Sequence, residues 1–178
     1  MDEFFPSKQL RFCPYCSAES FRYREENYFQ CDVCERKFYI NASAAVAGVI
    51  ANPQGDILLT RRRYEPSKGM LDLPGGFVNI DETAEDAVRR EIFEELNLKV
   101  DAMQYIGSST NRYLYGGIVY FTLDMGFKCS VSDFSEMKAD DDIDGYIFTP
   151  PEKVDLQQIC FPSIRNIMQK YLLSSGTL

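Results

Sequence analysis

The sequence predicts an α/β protein, a mixed sheet set between helices, preceded by a small cysteine-rich module. Three observations lead there. The chain has 178 residues, 45% of them apolar, which suffices for one ordinary core and at most a small appendage. Apolar runs of strand length are mixed with two helical patterns, without the regular βα alternation of a doubly wound parallel sheet. Four of the six cysteines fall in the first 40 residues as two close pairs. The reading is therefore two parts, a metal-stabilised module over 1–40 and a larger domain over 41–178.

Taken in order, residues 43–50 read as a buried strand. Asn52-Pro53-Gln54-Gly55-Asp56 is a turn, and 57–63 is a second strand expected to form a hairpin with the first. A loop follows over 64–69. Residues 71–73 form a short extended piece ending at Pro74-Gly75-Gly76. The helix over 84–96 is strongly signalled, with Thr83 as N-cap and Asp86 three residues on. Strands are expected over 100–109 and 118–127, an acidic loop over 140–144 and a last strand over 146–149. Residues 164–173 read as a helix, with Ser163 as its cap.

The charge balance narrows the function. The formal net charge is −8, from 27 acidic and 19 basic side chains, so there is no general attraction for a nucleic-acid backbone. Histidine is absent, which excludes Ser-His-Asp and Cys-His chemistry and leaves a carboxylate as the expected general base. The start, Met1-Asp2-Glu3-Phe4-Phe5-Pro6, lacks the basic and apolar regions of a signal peptide. No apolar run reaches membrane-spanning length. A cytoplasmic location is the resulting expectation.

Cys13-Pro14-Tyr15-Cys16 and Cys31-Asp32-Val33-Cys34 are separated by 14 residues, 17 to 30. Each knuckle can aim two thiolates at one point, so Cys13, Cys16, Cys31 and Cys34 are the candidate ligands of a closed tetrahedral Zn²⁺ site. The segment is too short for a core of its own, and a metal would supply most of its folding energy. Two disulfides or a redox role are the alternatives, disfavoured in a reducing compartment. The segment resembles a zinc ribbon. It carries six basic and seven acidic side chains, no footprint for a duplex. A packing module or a homodimer interface is the leading reading. Cys129 and Cys160 read as small apolar residues.

The sharpest feature is Gly76-x5-Glu82-x7-Arg90-Glu91-Ile92-Phe93-Glu94-Glu95-Leu96-Asn97-Leu98. At roughly 100° per residue Glu91 and Glu95 fall one above the other with Glu94 beside them. Ala84, Val88, Ile92 and Leu96 form the adjacent apolar stripe. Like charges at these spacings repel, so carboxylates beside a core seam need cations, and Mg²⁺ or Mn²⁺ suits such oxygens. Arg90 and Glu82 can orient the ligands.

This constellation resembles the Nudix box, Gly-x5-Glu-x7-Arg-Glu-U-x-Glu-Glu-x-Gly-U with U aliphatic. Asn97 alone departs, standing where the family usually has glycine. It reads as a left-handed helix cap, for which asparagine is the next best residue. The resemblance covers about residues 43–173. It implies an α/β/α sandwich around a mixed sheet and water attack on the pyrophosphate of a nucleotide-derived small molecule. It also implies one to three Mg²⁺ on Glu91, Glu94, Glu95 and the Gly75 carbonyl. Arg61, Arg62 and Lys68 are candidates to reach substrate phosphates. Glu91, Asp140, Asp141, Asp142 and Asp144 are candidate bases.

A zinc ribbon before such a domain is similar to the arrangement in NADH pyrophosphatases. The Ser-Gln-Pro-Trp-type motif of those enzymes is replaced by Ser108-Ser109-Thr110-Asn111-Arg112-Tyr113-Leu114-Tyr115, and the chain has no tryptophan. ADP-ribose or a dinucleotide such as NADH is the expected substrate class, with tyrosine or phenylalanine as the stacking surface. The alternatives are a non-catalytic Nudix-like ligand sensor and a zinc-ribbon nucleic-acid-binding protein.

Overall fold

The computed structural model describes residues 3–25 and 27–176. Contacts group the chain into two compact units, one of Met1–Ser43 with Arg112–Phe121, the other of Ala44–Asn111 with Thr122–Leu178.

The first unit holds a short helix α1 (Pro6–Gln9) and an antiparallel sheet of β1 (Phe21–Arg24), β2 (Tyr28–Cys31) and β3 (Lys37–Tyr39), in that order. Its small core is Cys13, Phe21, Phe29 and Cys31. Phe21 and Phe29 stack with centroids 4.8 Å apart. Phe5 lies edge-on to Tyr23 and Phe121.

The second unit is built on β4 (Ser43–Ile50), β5 (Ile57–Arg62), β6 (Leu71–Asp72), β7 (Ala102–Tyr115), β8 (Ile118–Ser130) and β9 (Ile143–Thr149), with helices α2 (Ala84–Leu96) and α3 (Pro162–Ser174), the strand ends within Arg112–Phe121 counting with the first unit. The sheet orders are β4-β8-β7 and β6-β5-β9. α3 packs Ile164, Ile167, Met168 and Leu172 onto Ala47, Val49, Ile57, Leu59 and Leu71. α2 packs Ala87, Val88, Ile92 and Leu96 onto Val46, Ile50, Leu58 and Phe127. Successive strand residues feed opposite cores, as the pleat requires, and the result is the expected α/β/α sandwich. Each such aliphatic side chain contributes about 1.5–3 kcal/mol when fully buried.

Three expectations change in detail. β4 and β5 do not continue as a hairpin. Asn52 makes the turn, its Oδ1 accepting from the Gln54 and Asp56 amides, but after one bridge at Ala51 and Ile57 the strands enter different sheets. The reason is edge occupancy. β5 has β9 on one edge and β6 on the other. β4 has β8 on one edge, while its amides and carbonyls on the other meet the segment 74–78. The last strand begins at Ile143, so Asp144 is a strand residue. Ser163 is not a cap. Pro162 occupies the first helical turn, Phe161 takes the cap position, and Ser163 lies buried inside the helix. Proline at that position lacks only an N–H that the helix leaves unused.

Candidate active site

Helix α2 is fixed at both ends by its own sequence. The Thr83 hydroxyl accepts from the Asp86 amide at 3.1 Å. Asn97 adopts the left-handed conformation, φ 55° and ψ 30°, and its amide donates to the Phe93 carbonyl. The Asn97 side chain adds a bond to the Glu136 carbonyl at 2.9 Å. The residue that departs from the box pattern thus makes the turn that glycine would make.

In front of the helix, the segment 74–78 is stitched to β4. Gly48 and Val46 donate to the Pro74 and Gly76 carbonyls at 2.8 and 2.9 Å, and Val78 donates to the Ala44 carbonyl at 3.0 Å. Gly75 has φ 153°, and a Cβ there would be driven into the Val46 carbonyl. A Cβ on Gly76 would come within 2.5 Å of the Glu91 carboxylate. Glycine at 75 lets the turn lie against β4, and glycine at 76 lets the Glu91 carboxylate lie this close to it.

Glu95 is 6% exposed, and its Oε2 accepts the Gly75 amide at 3.2 Å. Burial, then the charges of Asp72 and Glu91, push its carboxyl well above the usual range. Burial also raises Glu91, against the opposing pull of Arg90, with Glu94 and Asp141 adding to the rise. Arg90 connects the cluster. It donates to both oxygens of Glu82 at 2.8 and 2.9 Å, to Glu91 at 2.8 Å and to Glu94 at 2.9 Å. It also donates to the Phe77 carbonyl at 3.0 Å. Hydrogen bonding to Arg90 and to the Asn79 amide pulls Glu82 down to about 2.

These residues fit a divalent cation. Glu91 and Glu95 are both desolvated and repel one another beside the Gly75-Gly76 turn, and the guanidinium that touches Glu91 is shared by three acids, none of them Glu95. Oxygen donors short of positive charge are what Mg²⁺ or Mn²⁺ binds. Glu91, Glu94 and Glu95 could hold it, with a carbonyl of the Gly75 turn.

The acidic loop is tied to the same helix. The Asp140 amide donates to the Glu95 carbonyl at 2.9 Å, and the Arg63 amide to the Asp142 carbonyl at 2.9 Å. Asp141 bears electrostatically on Glu91, and Asp142 on Glu95. Asp140 instead pairs with Lys138.

The three basic residues separate. Arg61 is exposed and donates to the Gly69 carbonyl. Lys68 is exposed on the loop. Arg62 is half-buried and pairs with Asp72 at 2.9 Å. Asp72 is the residue that sequence reasoning missed. A carboxylate between Leu71 and Leu73 in a buried strand was the available signal.

In the first unit Cys13, Cys16, Cys31 and Cys34 have their sulfurs within 4.8 Å of one another. Cys13 to Cys34 and Cys16 to Cys31 both measure 3.6 Å, close to the edge of about 3.8 Å set by a tetrahedron with metal–sulfur bonds of about 2.3 Å. All four are free thiols, not disulfides. The amides of Cys34 and Val33 and the Ser20 hydroxyl point at Cys31 Sγ, and the Cys34 amide leads in lowering that thiol to about 6. The set can hold a tetrahedral thiophilic metal. Tyr113 and Tyr115 lie in β7 with ring centroids 6.2 Å apart, within the first unit.

An α/β/α domain that sets an acidic helix behind a double-glycine turn defines the class of protein. The chain belongs to the NUDIX domain family, whose model matches residues 42–171. It is 30% identical over 122 residues to the NAD-capped RNA hydrolase NudC of Yersinia pestis (strain Pestoides F), covering 68% of this chain and 45% of that protein. The chain therefore spans about half the length of the relatives it matches. In structure it resembles a NUDIX hydrolase from Nitrosomonas europaea, with TM-score 0.70 and 21% identity over 94% of this chain and 93% of that one. It also resembles the NUDIX domain of Shewanella oneidensis NrtR crystallised with ADP ribose, with TM-score 0.60 and 18% identity over 78% and 89%.

Proposed function

We propose that this protein is a Mg²⁺- or Mn²⁺-dependent hydrolase that splits the pyrophosphate bond of a nucleoside diphosphate joined to a second group, ADP-ribose or a dinucleotide such as NADH. One observation carries the reading: Glu95 is held on the Gly75 amide and bears on the nearby Glu91, while Arg90 joins Glu91 to Glu94. The dinucleotide-capped substrate named for the Yersinia relatives and the ADP ribose bound by the Shewanella domain favour the substrate class.

When bound, the cations neutralise the pyrophosphate and acidify a water. The chain's own groups do the rest. Arg90 holds Glu91 and Glu94 in place, and the Gly75 amide holds Glu95. Water oxygen joins one phosphorus in line while the bridging oxygen leaves with the other, so one water is added and two phosphate esters result. Glu91, Asp141 or Asp142 takes the proton. The two aspartates stand out from the acidic loop because their charges act on Glu91 and Glu95. Arg61 and Lys68, exposed on one loop and its flanking strand, are available to substrate phosphates. The four paired cysteines hold one structural Zn²⁺.

No helix among the described residues is long and apolar enough to cross a membrane. A cytoplasmic location is part of the proposal and is supported by the free thiols, which a reducing compartment keeps unpaired. The test is a substrate panel at fixed Mg²⁺ with product identification: ADP-ribose, NADH, a nucleotide sugar, the nucleoside triphosphates and an NAD-capped oligoribonucleotide. ADP-ribose or NADH is expected to give the highest kcat/KM. A triphosphate ahead by more than about tenfold, roughly 1.4 kcal/mol of transition-state preference, overturns the substrate class. Tight ligand binding without turnover of any compound points to a sensor.

A further inference from the structure

We propose that Arg62 and Asp72 form a positioning pair that sets the Gly75 turn, and that Arg62 does not touch the substrate. The inference rests on the hydrolase reading of the same site. One guanidinium makes at least three attachments. Nη1 meets Asp72 Oδ2 at 2.9 Å, Nε donates to the Pro66 carbonyl at 2.8 Å, and the group lies 5.0 Å from the centre of the Phe161 ring. The backbone of Arg62 closes the same loop, donating from its amide to Met70 and accepting from Gly69 at its carbonyl. The planar, multiply committed fork is a brace.

Asp72 carries the brace to the site. It is 8% exposed and stands opposite Thr60 in the β5–β6 pair. Its second oxygen accepts the Leu73 amide at 2.8 Å. Two residues further on, the Gly75 amide donates to Glu95. A line of bonds therefore runs from the loop through Arg62 and Asp72 into the turn that meets a proposed metal ligand. Losing the brace frees Asp72 to turn away from the Leu73 amide, and the Gly75 amide loses its aim.

The experiment compares Arg62→Lys, Asp72→Asn and the double variant R62Q/D72N with the parent protein. Lysine keeps the charge but not the fork, and the neutral double variant leaves no lone buried charge to unfold the domain. Readouts are kcat and KM for ADP-ribose at saturating Mg²⁺, and amide hydrogen exchange at Gly75. Each single variant is expected to lower kcat about 10–100-fold, the range for residues that orient metal ligands. KM should stay within about threefold, because no substrate contact is lost. The double variant should be no worse than the poorer single one, since both act through one link. Gly75 exchange should quicken in all three. Parental kcat in R62K overturns the proposal, as does a KM raised more than about tenfold at unchanged kcat, which marks a substrate contact. Unchanged Gly75 exchange also overturns it, and this readout decides even if the parent turns over no compound and the hydrolase reading itself fails.

Discussion

Arg90 grips Glu82 with two parallel hydrogen bonds, Nε to Oε1 at 2.8 Å and Nη2 to Oε2 at 2.9 Å. The residues are eight apart in sequence, one before the helix and one in its middle. The fork leaves Nη1 to bridge Glu91 and Glu94. A single cation thereby orders acids that would otherwise push apart.

Replacing Arg90 should therefore cost both stability and activity. Arg90→Met keeps the stem and removes the fork. With the side chain 27% exposed, the loss is expected at about 1.5–3 kcal/mol by urea denaturation, the range for hydrogen bonds to charged groups. Hydrolysis should fall at least about tenfold. Arg90→Lys should recover little of either, because one ammonium cannot serve both oxygens of Glu82 in a plane. Full recovery by lysine would show that charge alone matters.

Glu82 gives the acid limb of the stability curve a definite sign. Its folded carboxyl sits at about 2, below the ordinary 4.5, chiefly through Arg90. The stabilisation is present above the ordinary value and fades as pH falls from 4.5 towards 2. Melting temperatures of the parent and of Glu82→Gln, measured from pH 6 down to about 2, should converge at the acid end. A constant gap across that range would contradict the assignment.

Glu95 acts in the opposite sense. Burial and the neighbouring Asp72 and Glu91 raise its folded carboxyl. The folded state then binds the proton more tightly than the unfolded chain, so this residue's contribution falls as pH rises from the ordinary carboxylate range towards its folded value. Without divalent metal, Glu95→Gln should melt at the same temperature as the parent or a few degrees higher at neutral pH. Its hydrolytic activity should be lost. Activity within a few-fold of the parent would remove Glu95 from the proposed ligands.

The cysteine cluster predicts composition directly. Protein purified without added zinc should contain about one zinc per chain. Cys31→Ser should lose it, since that sulfur also receives two amides and a hydroxyl. Chelation should disorder β1 to β3 while leaving the α2 and α3 packing intact, as read by amide exchange. Two disulfides with negligible zinc would refute the site.

What could be read from the sequence was local. Thr83 and Asn97 cap α2 through atoms within four residues of themselves, so spacing alone revealed the helix and the face bearing Glu91 and Glu95. The four cysteines likewise need only two short knuckles and one loop. Strand partnership was hidden. A hairpin between β4 and β5 was the local expectation, yet distant segments compete for both edges of each strand. Arg62 looked free to meet a phosphate because its partner Asp72 lies across a sheet, on the far side of the loop. Asp141 and Asp142 could not be told from their neighbours until the loop was seen tied to the end of α2.

The main-chain stitching of 74–78 onto β4 also governs how the chain can change in length. Outside Gly48, Gly75 and Gly76, where a Cβ would collide, side chains along that seam can be exchanged without shifting it, because the bonds to Ala44, Val46 and Gly48 belong to the backbone. A single inserted or deleted residue in either partner would slide the register and turn every neighbour to the opposite face. A change in length is therefore better accommodated in a connection outside the seam, such as the turn at 52–56. A gene drifting under such a rule would keep constant the register of 74–78 on β4, and with it the place of the glycine turn beside Glu95.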